Sequence, residues 1–163
     1  MASFEDFDSS FLQGNTEEFV KILSELSSAN ESQDDEPFVV YLTYLLGANE
    51  SPGKEDIFRH LVSVGGNLNV TDSRGNTPLS HLAFNNNLHY FKLLVELGAD
   101  VNFTGEGESP IERAIRSNYS IEVARFILSS PKYIPLPSGV LSGIAKRSGA
   151  KSSISLLKEL KIK

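Results

Sequence analysis

Three histidines, the serine pairs at 9–10 and 152–153, a glycine-rich triplet and an acidic cluster are residues of this chain whose types could do chemistry. A zinc site needs His, Cys or carboxylate ligands at set spacings, but His60, His81 and His89 fall on segments with helical periodicity, lack partners at ligand spacing, and there is no Cys. They read as surface or packing histidines. Gly105-Glu106-Gly107 starts like a phosphate-cradling loop, yet the third Gly, the Lys-Ser/Thr pair and the preceding strand are all missing. Ser9-Ser10 and Ser152-Ser153 have no general base in a recognisable arrangement. Asp34-Asp35-Glu36 lacks the alternating carboxylates and the Gly of a calcium loop. No catalytic, cofactor-binding or metal-binding residue is therefore assigned, and the chain is expected not to be an enzyme. Recognition remains, and with it the elements that must present the recognising side chains.

Those elements repeat. Gly65-Gly66 recurs 33 residues later as Gly98-Ala99, and Asn69 recurs as Asn102; a period of that length marks a solenoid. Between them, Asp72-Ser73-Arg74-Gly75 is turn chemistry, since Asp closes a turn through its carboxylate and Gly accepts a positive φ, so a hairpin tip is predicted. Thr77 is suited to cap a helix and Pro78 to occupy its first position, where a missing N–H costs nothing. Leu79, Leu82 and Ala83 form one apolar stripe. Asn85-Asn86-Asn87 should end this helix, because Asn tolerates the left-handed conformation. Leu88, Phe91, Leu94 and Val95 then repeat with helical spacing, and Gly98 supplies the stop.

Gly75-Asn76-Thr77-Pro78-Leu79, Ala83, Leu93-Leu94 and Gly98-Ala99-Asp100-Val101-Asn102 together resemble the ankyrin repeat. One departure stands out. That family usually has His after Thr-Pro-Leu, bridging neighbouring repeats, and here the position is Ser80, so the bridge should be weaker; His81 cannot substitute, being turned by about 100° on the helix. The resemblance implies an all-α ankyrin-repeat solenoid of about five helix-turn-helix units, with short hairpin fingers and degenerate terminal caps.

The flanking units are weaker copies. Residues 67–99 form the best-matching repeat. In a degenerate repeat over 100–130, Ser109-Pro110-Ile111 answers Thr77-Pro78-Leu79, Ala114 and Ile115 continue the stripe, and 121–128 forms the second helix. An irregular repeat spans 37–66, with helices over 37–46 and 56–64 and a protruding loop over 47–54. An N-terminal cap spans 1–29, in which Phe4, Phe7, Phe11 and Leu12 are expected to form one apolar face. The C-terminal cap spans 131–163, with helices over 140–146 and 153–160. Degeneracy at the ends suits caps, which shield the core on one side only.

With 163 residues, 40% of them hydrophobic, the chain suffices for one such domain; the polar, acidic stretch 29–36 is expected to be flexible. No apolar run reaches about eighteen residues, so no membrane span is expected. The first residues have neither a basic segment nor an apolar core, so no secretory signal is expected either, and with the lack of Cys the chain is assigned to the cell interior, in cytoplasm or nucleus. The sequons at Asn30, Asn49, Asn69, Asn102 and Asn118 are accordingly structural; Asn69 and Asn102 are the repeat's own loop residues.

Charge is segregated. Residues 1–56 hold 13 acidic and 2 basic side chains, whereas 131–163 hold 1 and 7, and a solenoid keeps this order in space. The asymmetry serves either as a pair of solvated caps or to steer a charged partner. The acidic end would attract a basic segment; Lys146, Arg147, Lys151, Lys158, Lys161 and Lys163 would favour an acidic one. Nucleic acid is disfavoured, because the net charge is −6 and no aromatics interleave with these cations.

The resemblance places binding residues at the finger tips and on the outward side of each first helix. It assigns Ser73, Arg74, Asn76, Phe84, Asn85 and Thr104 from the central unit, with Glu106, Glu108, Arg116 and Ser117 from the next. Phe84 is either a partner anchor or a patch covered by the chain's own neighbours, and Phe103, where a small residue is usual, poses the same question. Aromatic and Arg side chains dominate interface energetics, which makes Phe84 with Arg74 the expected hot spot. The expected function is a non-enzymatic adaptor or scaffold, monomeric on its own, binding a protein or extended peptide in its groove. Two alternatives stand beside it: an acidic escort or inhibitor masking a basic partner, and a targeting domain of a larger enzyme or signalling protein. The Met1 start and the lysine-rich end favour a complete chain over the latter.

Overall fold

A computed structural model describes residues 4–25, 32–33, 36–46 and 53–162. Among them, ten helices form five antiparallel pairs: α1 (Phe4–Leu12) with α2 (Thr16–Glu25), α3 (Phe38–Leu46) with α4 (Glu55–Ser63), α5 (Pro78–Phe84) with α6 (Leu88–Glu96), α7 (Pro110–Arg116) with α8 (Ile121–Ser129), and α9 (Val140–Ser148) with α10 (Lys151–Glu159). The described residues are all-α apart from a two-residue antiparallel ladder, β1 (Ser32–Gln33) on β2 (Glu36–Pro37). That ladder lies in the stretch expected to be flexible; the rest of that stretch up to Asp35 lies outside the described residues, as do 47–52 of the protruding loop.

Local chemistry explains why the central pair forms where it does. Thr77 Oγ1 accepts the Ser80 amide at 3.0 Å, and Ser80 Oγ accepts the Thr77 amide at 2.8 Å, a reciprocal cap that satisfies two amides without an intrahelical partner. Pro78 follows at the first helical position. Ser80 is fully buried and also donates to the Thr77 carbonyl, so these bonds stay within its own helix start and build no inter-unit bridge. Asn85 caps the C-terminus, Asn86 has φ 54°, and the Asn87 side chain accepts the Tyr90 amide to start α6. The triple Asn is thus a stop, a left-handed turn and a start. In the next unit Ser109 and Glu112 repeat the reciprocal cap. Thr77→Ala removes an acceptor whose amide partner is then left unpaired in a buried setting, and should cost about 1–2 kcal/mol; urea unfolding of the full chain measures it.

Stacking is between neighbours. The first helices pile as α1, α3, α5, α7 and α9, the second helices as α2, α4, α6, α8 and α10. Leu79, Leu82, Phe91, Leu94, Ile111, Ile115, Val123 and Ile127 lie at the centre of this continuous core. The N-terminal pair is joined through aromatic rings, Phe58 packing edge-on to Phe11 at 6.0 Å and tilted against Tyr90 at 5.6 Å. One expectation for that pair needs correcting. Phe11 is buried, but Leu12 is 55% exposed, because it is turned about 100° from Phe11 on the helix and falls outside the stripe that meets the neighbouring helices. The side chains of Phe4 and Phe7 lie outside the described residues.

Inter-unit polar contacts sit in the loops. Asn69 Oδ1 accepts the Asp100 amide at 2.8 Å. Asn102 repeats this one unit on, donating from Nδ2 to the Lys132 carbonyl and accepting the Ile134 amide, both at 2.8 Å.

Candidate partner-binding groove

Burial along the first helices repeats from unit to unit. Tyr41, His81 and Arg113 are half-buried at equivalent positions, with Gly143 answering them on α9; three residues on, Tyr44, Phe84, Arg116 and Lys146 are exposed. Leu12 continues this second row at the N-terminal end. Two of the row's aromatics stand far out of the core, Tyr44 at 67% and Phe84 at 46% exposure. Packing between helices is diagonal. The Tyr44 ring meets the His81 ring edge-on at 6.4 Å, and the Phe84 ring lies 4.8 Å beneath the Arg113 guanidinium. At the next step Gly143 has no side chain, and the Arg147 guanidinium fills that space, 3.2 Å from where a Cβ would be.

Finger tips border these rows. The tip 72–76 is closed by the Asp72 amide to the Asn76 carbonyl and the Gly75 amide to the Asp72 carbonyl, both 2.9 Å, without a β-ladder. Gly75 has φ 77°, and its carbonyl accepts the Gly107 amide of the next tip at 3.2 Å. A Cβ on Gly107 would lie 2.5 Å from that oxygen, so the main chains approach more closely than any side chain permits. Between the 72–74 tip and α3 opens a cleft of about 260 Å3 lined by Val40, Tyr41, Tyr44, Ser73, Arg74 and His81.

The sequence-assigned residues distribute unevenly over this surface. Ser73 and Arg74 are exposed at the tip and line the cleft; Arg74 has no ion-pair partner among the described residues. Asn76 is spent on the tip itself, its amide and Nδ2 both donating to Asp72. Phe84 lies with one face under Arg113 and is otherwise exposed, while Asn85 is half-buried as the helix cap. Phe103 and Thr104 are half-buried in the second finger and Glu106 is exposed there. Glu108 reaches Arg116, and Arg113 at 3.8 Å, so one carboxylate faces two cations and the trio keeps a net positive charge. Ser117 caps α7, and its carbonyl accepts the Ser153 hydroxyl at 3.4 Å. Arg74 and Phe84 fall in adjacent neighbourhoods, one with Tyr41, Tyr44 and His81, the other with Arg113. Sequence reasoning passed over Tyr44, Arg113 and Gly143 altogether and never placed Lys146 or Arg147 in the groove. The sequence carries no regular signal for this row, since Tyr44, Phe84 and Arg116 are unevenly spaced.

Asp72 ties tip to helix. Burial by itself would push its carboxyl up, but hydrogen bonds from the Asn76 side chain and amide, the His81 ring at 3.0 Å and the Arg74 amide outweigh this and hold it below the ordinary aspartate value. A carboxyl lowered by folding contributes stability above its unfolded-state value, and that contribution is lost as pH falls through the folded-state one. Melting temperature should therefore drop below about pH 4, with a shallower drop for Asp72→Asn. Superimposable acid limbs for the two proteins would count against the tip network. Unlike the inter-unit bridge that Ser80 lacks, the His81 contact stays within its own unit.

No group of His, Cys, Asp or Glu that could hold a metal ion occurs among the described residues. Nor, among them, is any helix long and apolar enough to cross a membrane. A family model described as ankyrin repeats (3 copies) matches residues 45–135, more than half of the chain. A search of curated proteins finds no match.

Proposed function

The chain belongs to the ankyrin-repeat family, whose members are generally protein–protein interaction modules and typically not enzymes, and from that premise we propose that it is an adaptor binding an extended segment of a partner protein along its groove. The observation that carries this reading is the exposed row, in which Tyr44 lines a cleft with Tyr41 and His81 and Phe84 stands one unit on, beneath Arg113. Aromatic side chains held at the edge of a preformed concavity supply large contact area at low entropic cost, the usual make-up of an interface hot spot. Arg74 and Ser73 at the tip, Asn85, Phe103, Thr104 and Glu106 on the neighbouring surface, and Glu108, Arg116 and Ser117 on the next unit complete the proposed contact area, with Asn76 supporting the tip. On this reading 1–29 and 131–163 serve as caps and 37–130 as the binding units.

A photo-crosslinking residue placed at position 84 should capture a partner from an extract of the native cells, and one at position 92 on the opposite helix layer should not. Crosslinks from position 92 alone would place the interface on the convex side and sink the proposal.

The escort reading draws support from exposed Glu17, Glu18 and Asp56 on the second helices of the N-terminal pairs. It requires affinity to fall steeply with added salt; a flat salt response of the captured complex would remove it.

A further inference from the structure

Charge and apolarity are distributed along the groove in a way that defines its occupant more narrowly. Over α1, α3 and α5 the exposed row is Leu12, Tyr44 and Phe84; over α7 and α9 it is Arg116 and Lys146, with Arg113 and Arg147 alongside. Two of the carboxylates near this second half are committed to the fold, while Glu106 is exposed at the tip of the second finger. Glu112 closes the α7 cap, accepting the Ser109 amide at 2.9 Å, and Glu108 bridges Arg113 and Arg116. Lys146 and Arg147 have no ion-pair partner among the described residues. Of the acidic residues of the N-terminal units, Glu17, Glu18, Glu55 and Asp56 sit on α2 and α4, in the other helix layer, while Glu5, Asp6 and Asp8 lie on α1, at the opposite end of the first-helix layer from α9, and Asp8 accepts the Tyr41 hydroxyl at 2.7 Å.

We infer that the groove takes an extended protein segment with two halves, apolar where it lies on α3 and α5 and acidic where it lies on α7 and α9. The inference rests on the adaptor reading above and specifies its partner. First helices about 10 Å apart put α3 and α9 about 30 Å from each other, which an extended chain covers with about nine residues. The apolar half seats against Tyr44 and Phe84, and the acidic half pairs with Arg116, Lys146 and Arg147. Until the segment arrives, Glu108 then acts as an internal stand-in for the partner's carboxylate, pairing with Arg116 and with the Arg113 that lies over Phe84. A single-stranded nucleic acid offers a phosphate and a stacking base at every step, whereas the aromatic and cationic side chains here are segregated into two halves, so a two-part protein segment fits the whole row better.

The test is a selection from a phage-displayed library of random dodecapeptides on the full chain, followed by affinity measurements on the enriched peptides. Expected are sequences pairing an aliphatic or aromatic cluster with an Asp/Glu cluster. Tyr44→Ala with Phe84→Ala should abolish their binding, and Lys146→Glu with Arg147→Glu should weaken it about tenfold. Circular dichroism and thermal melting verify that both double variants remain folded. Glu108→Gln should tighten binding about threefold by releasing Arg113 and Arg116. Enriched peptides that are neutral or basic but still depend on Tyr44 and Phe84 overturn this inference and leave the adaptor reading standing. Peptides indifferent to Tyr44 and Phe84, or no enrichment, overturn both. Full displacement of the peptides by a single-stranded oligothymidylate at equal concentration would assign the cationic half to phosphate chains and overturn the inference as well.

Discussion

Phe58→Ala is expected to cost about 3–5 kcal/mol, the usual penalty for emptying a fully buried aromatic site. Phe58 has no exposed surface, and its ring touches Phe11 on one side and Tyr90 on the other, so it joins the N-terminal pair to the central one. In a solenoid each unit leans only on its neighbours, and weakening one junction separates what lies on either side. Unfolding of the variant should therefore divide into two transitions, with 1–46 melting first and the units from α5 onward retaining their midpoint. At roughly 2–4 °C per kcal/mol, the early transition should fall by about 6–20 °C, which calorimetry on the full chain would register. A single transition displaced by less than a few degrees would show that the first pair draws its stability from elsewhere.

For binding, the largest loss should come from Tyr44→Ala combined with Phe84→Ala. Hot-spot side chains contribute about 2 kcal/mol or more each, so the pair should weaken capture of the partner by at least about a hundredfold. Their exposure means that little core is lost. Phe84 gives up its contact with Arg113, worth about 0.5–1 kcal/mol, and melting should move by no more than about 4 °C. Titration calorimetry with the captured partner, beside a melting curve, separates the two effects. Affinity within threefold of the parent chain would mean that the partner does not use this row.

How much of this was legible beforehand varied with how local the chemistry was. Thr77, Pro78 and the three asparagines act on amides one to four residues away, so the sequence around them carries nearly all the information that positions α5 and α6. The five pairs followed from that unit, since apolar stripes and turn residues recur on either side of it. The groove was harder to read. Helix α3 reads Phe-Val-Val-Tyr-Leu-Thr-Tyr-Leu-Leu, apolar on every side, so nothing in it distinguished the exposed Tyr44 from its buried neighbours. Only the stacking of α3 against α5 decides which face is free. Leu12 was misjudged for the same reason, because only the packing of α1 against its neighbours decides that Phe11 lies on the stripe they meet and Leu12 outside it. Arg147 is a third case: its place in the groove depends on Gly143 leaving room, a relation between positions that no period expresses. Glu108 was assigned to the groove from its position in the finger, but its pairing with Arg113 and Arg116 is a matter of side-chain reach, invisible until the two elements are set side by side.

The contact from Gly107 to Gly75 has a bearing on how this surface could change over time. Because the two tips meet through main-chain atoms, Arg74 and Glu106 are released from holding them together. Their identities can drift, or be rewritten by design, while the interval between them stays constant. The protein thereby keeps a ruler of fixed graduation whose markings can be exchanged.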